Sequence, residues 1–438
     1  MYLIIGLVFI LGYAFIAFEH PLRINKAASA LLMAVALWTL LIIGGDSFVE
    51  AGAIDPAHKW VESHLMEHLS SIGGILFFLL GAMTIVEIVD SHGGFEIITR
   101  HIQTTSQSKL LWILSITTFF MSAALDNMTT AIVMSTLLRK LIRDNHDIWF
   151  FGGMIIIAAN AGGAWSPIGD VTTIMLWIGG QITAANIVLK LFIPSLLCLL
   201  FPLIIISLQR KGGLVERPKD SPLLSDGNGV NTREKSLVFY LGTGALLFVP
   251  VFKTITNLPP FMGILLGVGV LWVVTEIMHR HKGEELRKPL SISGVLQRID
   301  TPSILFFLGI LLAVAALETA GHLGDIAQAL NQQIGNIWVI NTLIGLLSAI
   351  VDNVPLVAGA MGMYSLSDFP TDHPFWELLA YCAGTGGSIL IIGSAAGVAT
   401  MGILKIEFIW YMKKIAIWAA LGYFAGILCY YAIEHFLF

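Results

Sequence analysis

Long apolar runs alternate with short polar connections along almost the whole chain. A run of about 20 apolar residues can cross a bilayer as a helix. Such runs occur near 3–18, 27–45, 73–90, 150–180 and 187–207, and again near 236–253, 260–278, 302–319, 376–404 and 414–434. Two further segments, 109–141 and 337–365, are too long for one ordinary span, and polar residues interrupt their middles. We predict that each of these two segments is a re-entrant hairpin of two half-helices.

Composition agrees with this pattern and excludes other classes of protein. The chain is 56% hydrophobic and 12% charged, whereas soluble domains carry about 25% charged residues. It is therefore predicted to be a polytopic protein of the lipid bilayer. The net charge of −5 includes no basic stripe, so no nucleic-acid partner is expected. The three cysteines lie in apolar runs and indicate neither a disulfide framework nor a metal cluster.

Lys and Arg concentrate in the connections that the crossing count places on one side of the membrane. These residues are Arg23, Lys26, Arg139, Lys140, Arg143, those of 209–235 and of 280–298, Lys405, Lys413 and Lys414. The opposite side holds 50–67 and 368–377, which are poor in Lys and Arg. Positive loops face the cytoplasm. We therefore expect a multi-pass protein of a bacterial inner (plasma) membrane, with both termini on the periplasmic side.

The two halves of the chain resemble each other. Residues 209–235, with Pro218 and Pro222, are predicted to be a cytoplasmic linker between 1–208 and 236–438. Three blocks recur in the same order: 75–79 and 304–308, the Asp-Asn pairs, and glycines at 162, 163 and 169 that match 386, 387 and 393. We predict an all-α polytopic fold of two inverted repeats, each with five transmembrane helices, one of them broken, and one re-entrant hairpin. Inverted repeats with interrupted helices are typical of transporters.

An Asp-Asn pair occupies the centre of each predicted hairpin, as Asp126-Asn127 and Asp352-Asn353. A carboxylate at membrane depth costs about 2.5–3.5 kcal/mol on insertion scales. One interpretation is an N-cap, since Asp and Asn are preferred there. A cap needs no charge, however, so the repeated Asp favours an ion-binding role, and the two roles are compatible.

The predicted broken helices carry the remaining candidate residues. In 150–180 these are Asn160, Asp170, Thr172 and Thr173, beside glycines and a proline that should unwind the helix; a simple Pro-Gly kink is the alternative. In 376–404 they are Ser388 and Ser394, and Ser394 takes the place that matches Asp170. The site is thus predicted to be asymmetric, with Asp170 as the proton-exchanging group. No Walker motif, nucleophile elbow or metal-hydrolase spacing occurs, so no enzyme is predicted.

At these blocks the sequence resembles the NhaD-type sodium/proton antiporters of the ion transporter superfamily. The resemblance implies a homodimer with a scaffold domain, a mobile transport domain that carries both hairpins, and elevator-like alternating access that serves pH homeostasis. It implies roles for Asp126, Asn127, Asn160, Asp170, Thr172, Thr173, Asp352, Asn353, Ser388 and Ser394, with Na⁺ at Asp126, Asn127, Asp170, Asp352 and Asn353. It also implies Na⁺, often Li⁺, as the exchanged cation. Dicarboxylate carriers of the same superfamily have Ser-Asn-Thr at the hairpin tips, where this chain has Asp-Asn.

The mechanism we expect is competition between Na⁺ and H⁺ for buried Asp residues, with no cofactor beyond the transported ions. A low dielectric disfavours an ionised carboxylate, so an occupied site is less charged and moves past an apolar scaffold more readily. The alternatives are a sodium-coupled anion carrier of the same superfamily and a channel-like protein. A solvated loop is the expected setting for His279 and His281, with a pH-sensitive cluster as the alternative.

Overall fold

The computed structural model describes residues 1–45, 48, 56–99, 104–209, 212–215 and 230–436, and almost all of them form α-helices. In the first half these are α1 (Tyr2–Ala17), α2 (Glu19–Leu22), α3 (Lys26–Ile43), α4 (Ala57–Ser91), α5 (Glu96–Thr99), α6 (Gln107–Leu125), α7 (Asn127–Leu141), α8 (Asn145–Ala164), α9 (Val171–Ile178) and α10 (Ala184–Gln209).

The described residues of the second half are also mostly helical. It contains α11 (Thr232–Thr256), α12 (Pro260–His279), α13 (Glu284–Arg287), a 3₁₀ turn (Lys288–Leu290), α14 (Ile292–Leu296), α15 (Thr301–Thr319), α16 (His322–Gln333), α17 (Ile337–Leu347), α18 (Asn353–Met363), α19 (Pro374–Gly386), α20 (Ala395–Leu404), α21 (Phe408–Lys414) and α22 (Ala416–Phe436).

Nine helices of the described residues are long and apolar enough to cross a membrane. They include α6, which was predicted from the sequence to be one half-helix of a hairpin. They do not include α1, which has only 16 residues. The prediction of a polytopic all-α membrane protein is confirmed. Most of the predicted linker, and residues 50–55 of the predicted outer segment, lie outside the described residues.

Helix α4 is longer than its apolar pattern predicts. It begins at Ala57 rather than near residue 73 and runs for 35 residues, which corresponds to about 52 Å. Its first turns carry Lys59, Glu62 and Glu67, so hydropathy alone does not show them as part of the span. Residues 57–67, predicted as a connection, are therefore helical.

The long helices form two groups. In the first, called the wall group, α3 packs on α1 and α15, and α12 packs on α4 and α11. In the second, called the hairpin group, α6 packs on α8, α17 on α19, α7 on α20, and α10 on α22. Helices α9 and α18 belong to the hairpin group through their contacts with α19, and contacts of α15 with α18 and of α4 with α9 join the two groups. The candidate site lies where they meet.

Helices α6 and α7, and likewise α17 and α18, form hairpins. The Gln107 Nε2 group, at the start of α6, donates to Asp147 Oδ2 at 2.7 Å, just beyond the end of α7. In the second half, the Tyr364 hydroxyl follows α18 and donates to Asn331 Oδ1 at 3.2 Å, just before α17. Each pair therefore returns to the end from which it started, so the Asp-Asn pairs lie at the two tips.

The glycines of the repeated block permit close backbone contact between each hairpin and its broken helix. A Cβ atom on Gly162 would overlap the carbonyl oxygen of Phe119, and one on Gly386 would overlap that of Gly345. Neither obstacle is a flexible side chain. The equal spacing of these glycines in the sequence thus corresponds to equal contacts in the two halves.

Gly162→Ala and Gly386→Ala should each destabilise the protein by about 1–3 kcal/mol, because overpacking against backbone cannot relax by a side-chain rotation. The readout is the melting temperature of the purified protein in detergent. Gly402→Ala is the matched control, since a Cβ there meets nothing within 4 Å. Equal melting temperatures for all three variants would contradict this interpretation of the glycine block.

Candidate functional site

The first hairpin tip is a strained aspartate. Asp126 lies between α6 and α7 with φ 94° and ψ 157°, a backbone region that is essentially restricted to glycine and costs about 1–3 kcal/mol. Its Oδ1 accepts from the Thr129 amide and its Oδ2 from the Thr129 hydroxyl, both at 2.8 Å. The side chain therefore caps α7, as one interpretation of the sequence predicted, and it also faces the cavity described below.

The second tip differs from the first in one respect. Asp352 caps α18 by accepting from the Val354 amide at 3.2 Å. The residue in the place of Thr129 is Pro355, which has no hydroxyl to donate. The second carboxylate oxygen of Asp352 instead lies 3.3 Å from the ammonium group of Lys26.

Asp170 lies in the break between α8 and α9 and is 1% exposed. Its Oδ1 accepts from the amide and the hydroxyl of Thr172, both at 3.0 Å. The Thr173 hydroxyl donates to the Asp170 carbonyl at 2.9 Å. These contacts begin α9 and fix the carboxylate in one orientation.

Both hairpin tips converge on the Asp170 carboxylate. Asn127 Nδ2 lies 2.5 Å from Asp170 Oδ2, and Asn353 Nδ2 lies 3.3 Å from both carboxylate oxygens. Asn160 accepts from Asn127 at 3.1 Å. The structure thus joins residues from both halves around one buried acid.

The asymmetry of the two halves is explained by contacts of Asn160. Its Nδ2 donates to Ser388 Oγ at 2.9 Å and to Ser394 Oγ at 2.8 Å. The Asn160 amide of the first half therefore donates to Ser394, the residue of the second half at the position equivalent to Asp170. In the second half Gly384 occupies the place of Asn160, and a Cβ there would lie 3.8 Å from Asp170 Oδ2.

A cavity of ≈ 40 Å³, measured as space for the centres of water-sized molecules, adjoins these groups. One water needs about 10–15 Å³ by this measure, so a small ion fits. Its polar side contains Asp126, Asn127, Asp170, Asp352 and Asn353. Its apolar side comes from the wall group through Phe78, Leu79, Ala82, Met83, Leu246 and Phe307. None of the described residues that line it is Lys, Arg or His.

All ten residues singled out from the sequence lie in or next to this cluster. Five of them line the cavity, and the other five, Asn160, Thr172, Thr173, Ser388 and Ser394, belong to the hydrogen-bonded network that includes Asp170. Carboxylate, amide and hydroxyl oxygens are the ligands that hard cations prefer. The arrangement has the chemistry of a small-cation site, and the ion-binding role of each residue is a proposal.

The contact of Lys26 with Asp352 was not predicted from the sequence, where Lys26 was counted only among the positive loop residues. Its partner Asp352 is remote in the chain, so no local pattern indicates the contact.

The solvated-loop prediction is wrong for His279. Its ring is 2% exposed and its Nε2 lies 2.8 Å from Nε2 of His92. Helix α12 continues through His279 and so directs it against α4.

Comparisons with known proteins show the family of the chain and agree with its fold. The family described as citrate transporter (CitMHS) matches residues 13–376. Sodium/proton antiporter 1 of Arabidopsis thaliana is 50% identical over 99% of this chain and 73% of its own length. The Na⁺/H⁺ antiporter NhaD of Vibrio cholerae is 29% identical over 98% of this chain and 91% of its own.

The crystal structure of the YdaH transporter from Alcanivorax borkumensis has a similar fold. The TM-score is 0.59 at 10% identity, covering 93% of this chain and 99% of that chain. Because the family match covers residues 13–376 and the relatives named above align over nearly the whole chain, the protein belongs to the citrate transporter (CitMHS) family and, within the ion transporter superfamily, to the NhaD-type sodium/proton antiporters.

Proposed function

We propose that the protein exchanges cytoplasmic Na⁺ for external H⁺ and that the cavity between the hairpin tips and the wall group is the cation site. The observation that carries this proposal is the convergence of both tips on Asp170, with three carboxylates and no basic residue among the described residues that line the cavity. The antiporter names of the relatives support the same exchange.

Competition between Na⁺ and H⁺ is the mechanism we propose. Three ionised carboxylates in a low dielectric repel one another, and either a sodium ion or a proton relieves this repulsion. Asp170 is our candidate for the proton, because it is the most buried of the three carboxylates that face the cavity. Asp126 and Asp352, at the rim, then guide and ligate the incoming Na⁺.

Alternating access is proposed to follow from the contrast between the two sides of the cavity. The hairpin group carries the three carboxylates, and the side chains that the wall group contributes to the cavity lining are apolar, with Lys26 paired to Asp352 beside them. An ionised empty site loses solvation against such a wall, whereas a neutralised site does not. We propose that the two halves are inverted repeats and that the hairpin group moves as an elevator, with Li⁺ as a second cation and a homodimer as the assembly.

The distribution of Lys and Arg supports an orientation with both termini outside, and we propose the inner membrane of a bacterium as the location. A sodium-coupled anion carrier is the second candidate, because the matching family is described as citrate transporter. The absence of a basic residue from the described cavity lining argues against an anionic substrate.

Purified protein in liposomes tests the exchange directly. An outward Na⁺ gradient should drive H⁺ into the liposomes and so acidify their lumen. An outward Li⁺ gradient should have the same effect, and a K⁺ gradient should not. Labelled citrate or another dicarboxylate should not accumulate with Na⁺. Sodium-driven uptake of the anion without proton movement would overturn the proposal in favour of the second candidate.

Asp126→Asn and Asp352→Asn should each raise the Na⁺ concentration for half-maximal exchange by about tenfold, because each removes one unit charge at the less buried rim of the cavity, where screening leaves an interaction of about 1–2 kcal/mol. Everted vesicles with a pH-sensitive dye provide the measurement. Asp368→Asn, on an exposed turn, is the matched control and should match the wild type. Wild-type Na⁺ dependence in both site variants would remove Asp126 and Asp352 from the site.

A further inference from the structure

Lys26 places a positive charge between the two helix groups. Its Nζ lies 3.3 Å from Asp352 Oδ2 and 4.3 Å from the ring centroid of Phe306. The side chains of Lys26 and Asp352 are 28% and 17% exposed. The ion pair is therefore partly shielded and adjoins the cavity that Asp352 lines.

Requirements of α3 itself do not explain this position. Lys26 is the first residue of α3, and a cation at a helix N-terminus is opposed by the helix dipole. The cap is already supplied by Asn25, whose side chain accepts from the Ala27 amide at 2.8 Å. Glu19 Oε1 accepts from the backbone amide of Lys26 at 3.2 Å, so the ammonium group remains available for Asp352.

The pair also breaks the likeness of the two hairpins. Asp126 satisfies its second oxygen inside its own hairpin, through the Thr129 hydroxyl. Asp352 satisfies the corresponding oxygen with a residue of the wall group. A cation that binds this oxygen therefore competes with the ammonium group of Lys26 for it, and a displacement of the hairpin along the wall would pull Asp352 away from Lys26.

We propose that Lys26 is a tethered cation that occupies Asp352 in the ion-free site and is displaced when Na⁺ binds there. This inference rests on the proposed exchange of Na⁺ at the cavity. Lys26 then acts as a positioning residue with two effects. It competes with Na⁺ for one carboxylate oxygen, and it holds the empty hairpin tip against the wall group.

Lys26→Gln tests the competition. The Na⁺ concentration for half-maximal exchange should fall about two- to fivefold, the range expected for a partly exposed ion pair. The maximal rate should stay within about twofold, and Lys26→Arg should restore the wild-type value. Lys190→Gln is the matched control, because Lys190 pairs with Glu434 at 2.8 Å and neither residue lines the cavity.

A merely structural role for Lys26 would lower the amount of folded protein or the maximal rate without moving the Na⁺ dependence. Unchanged Na⁺ dependence in Lys26→Gln, with normal exchange, would overturn this inference and leave the proposed function standing. Loss of exchange in the wild type would instead overturn the proposed function.

Amine acylation of the wild-type protein gives an independent readout when Lys26→Gln fails to fold. Mass spectrometry measures the rate of acylation at each lysine. The rate at Lys26 should be higher in Na⁺ than in an equal concentration of choline, and the rate at Lys190 should be the same in both. The same modification rate of Lys26 in Na⁺ and in choline, for protein that exchanges Na⁺, would show that the ion does not displace the lysine.

Discussion

Asp170→Asn is expected to abolish Na⁺/H⁺ exchange, with a fall in rate of at least about 100-fold. The substitution removes one unit charge at the ion, which is worth about 4 kcal/mol at 4 Å in partly shielded surroundings. It also places an amide NH₂ among groups that now donate to the carboxylate, namely Asn127, Asn353 and Thr172. The measurement is sodium-driven pH change in everted vesicles.

Asp368→Asn is the control for this variant too, because it makes the same chemical change on an exposed turn. Folding is checked by a monodisperse elution profile and by the melting temperature in detergent. Exchange within about twofold of the wild type, by folded Asp170→Asn protein, would show that Asp170 neither binds the ion nor exchanges the proton.

Leu246→Lys should also suppress exchange, by more than about 30-fold. Leu246 is 2% exposed and lines the apolar side of the cavity. An ammonium group there would meet the carboxylates of the opposite side, and its repulsion of a second cation is about 2 kcal/mol even at 8 Å. It would also place a charge on the wall past which the hairpin group is proposed to move.

Leu246→Met is the matched control, since it keeps an apolar side chain of similar volume, and it should retain most of the exchange. Rates are compared at equal amounts of folded protein in liposomes. If Leu246→Lys supported exchange as well as Leu246→Met, the apolar wall would have no part in the mechanism.

The sequence predicted the elements of the site because their signals are local. Asp126 and Asp352 interrupt apolar runs, and the glycines at 162 and 386 recur with equal spacing, so both hairpins and both breaks were readable. The cluster around Asp170 was predicted in its members, since polar residues at membrane depth are few. The ion-binding role assigned to each residue, and the inversion of the halves, stay predictions.

Other features depend on contacts that no local pattern encodes. Lys26 and Asp352 form an ion pair although they are far apart in the sequence. The hydrogen bond from Asn160 to Ser394 depends on how two broken helices cross. The first turns of α4 were missed because they are polar, although they are helical. His279 was assigned to a loop because the predicted span ended at residue 278. The helix includes one more residue, and this places the His279 ring against α4.

Na⁺ binding to the purified protein at several pH values tests the central claim most directly. We predict that the apparent affinity falls by about tenfold for each unit of pH decrease across the range in which one proton replaces one Na⁺, and that Asp170→Asn protein does not bind Na⁺ in this range. Binding that is independent of pH, or binding by Asp170→Asn with wild-type affinity, would contradict a site at which Na⁺ and H⁺ compete for this carboxylate.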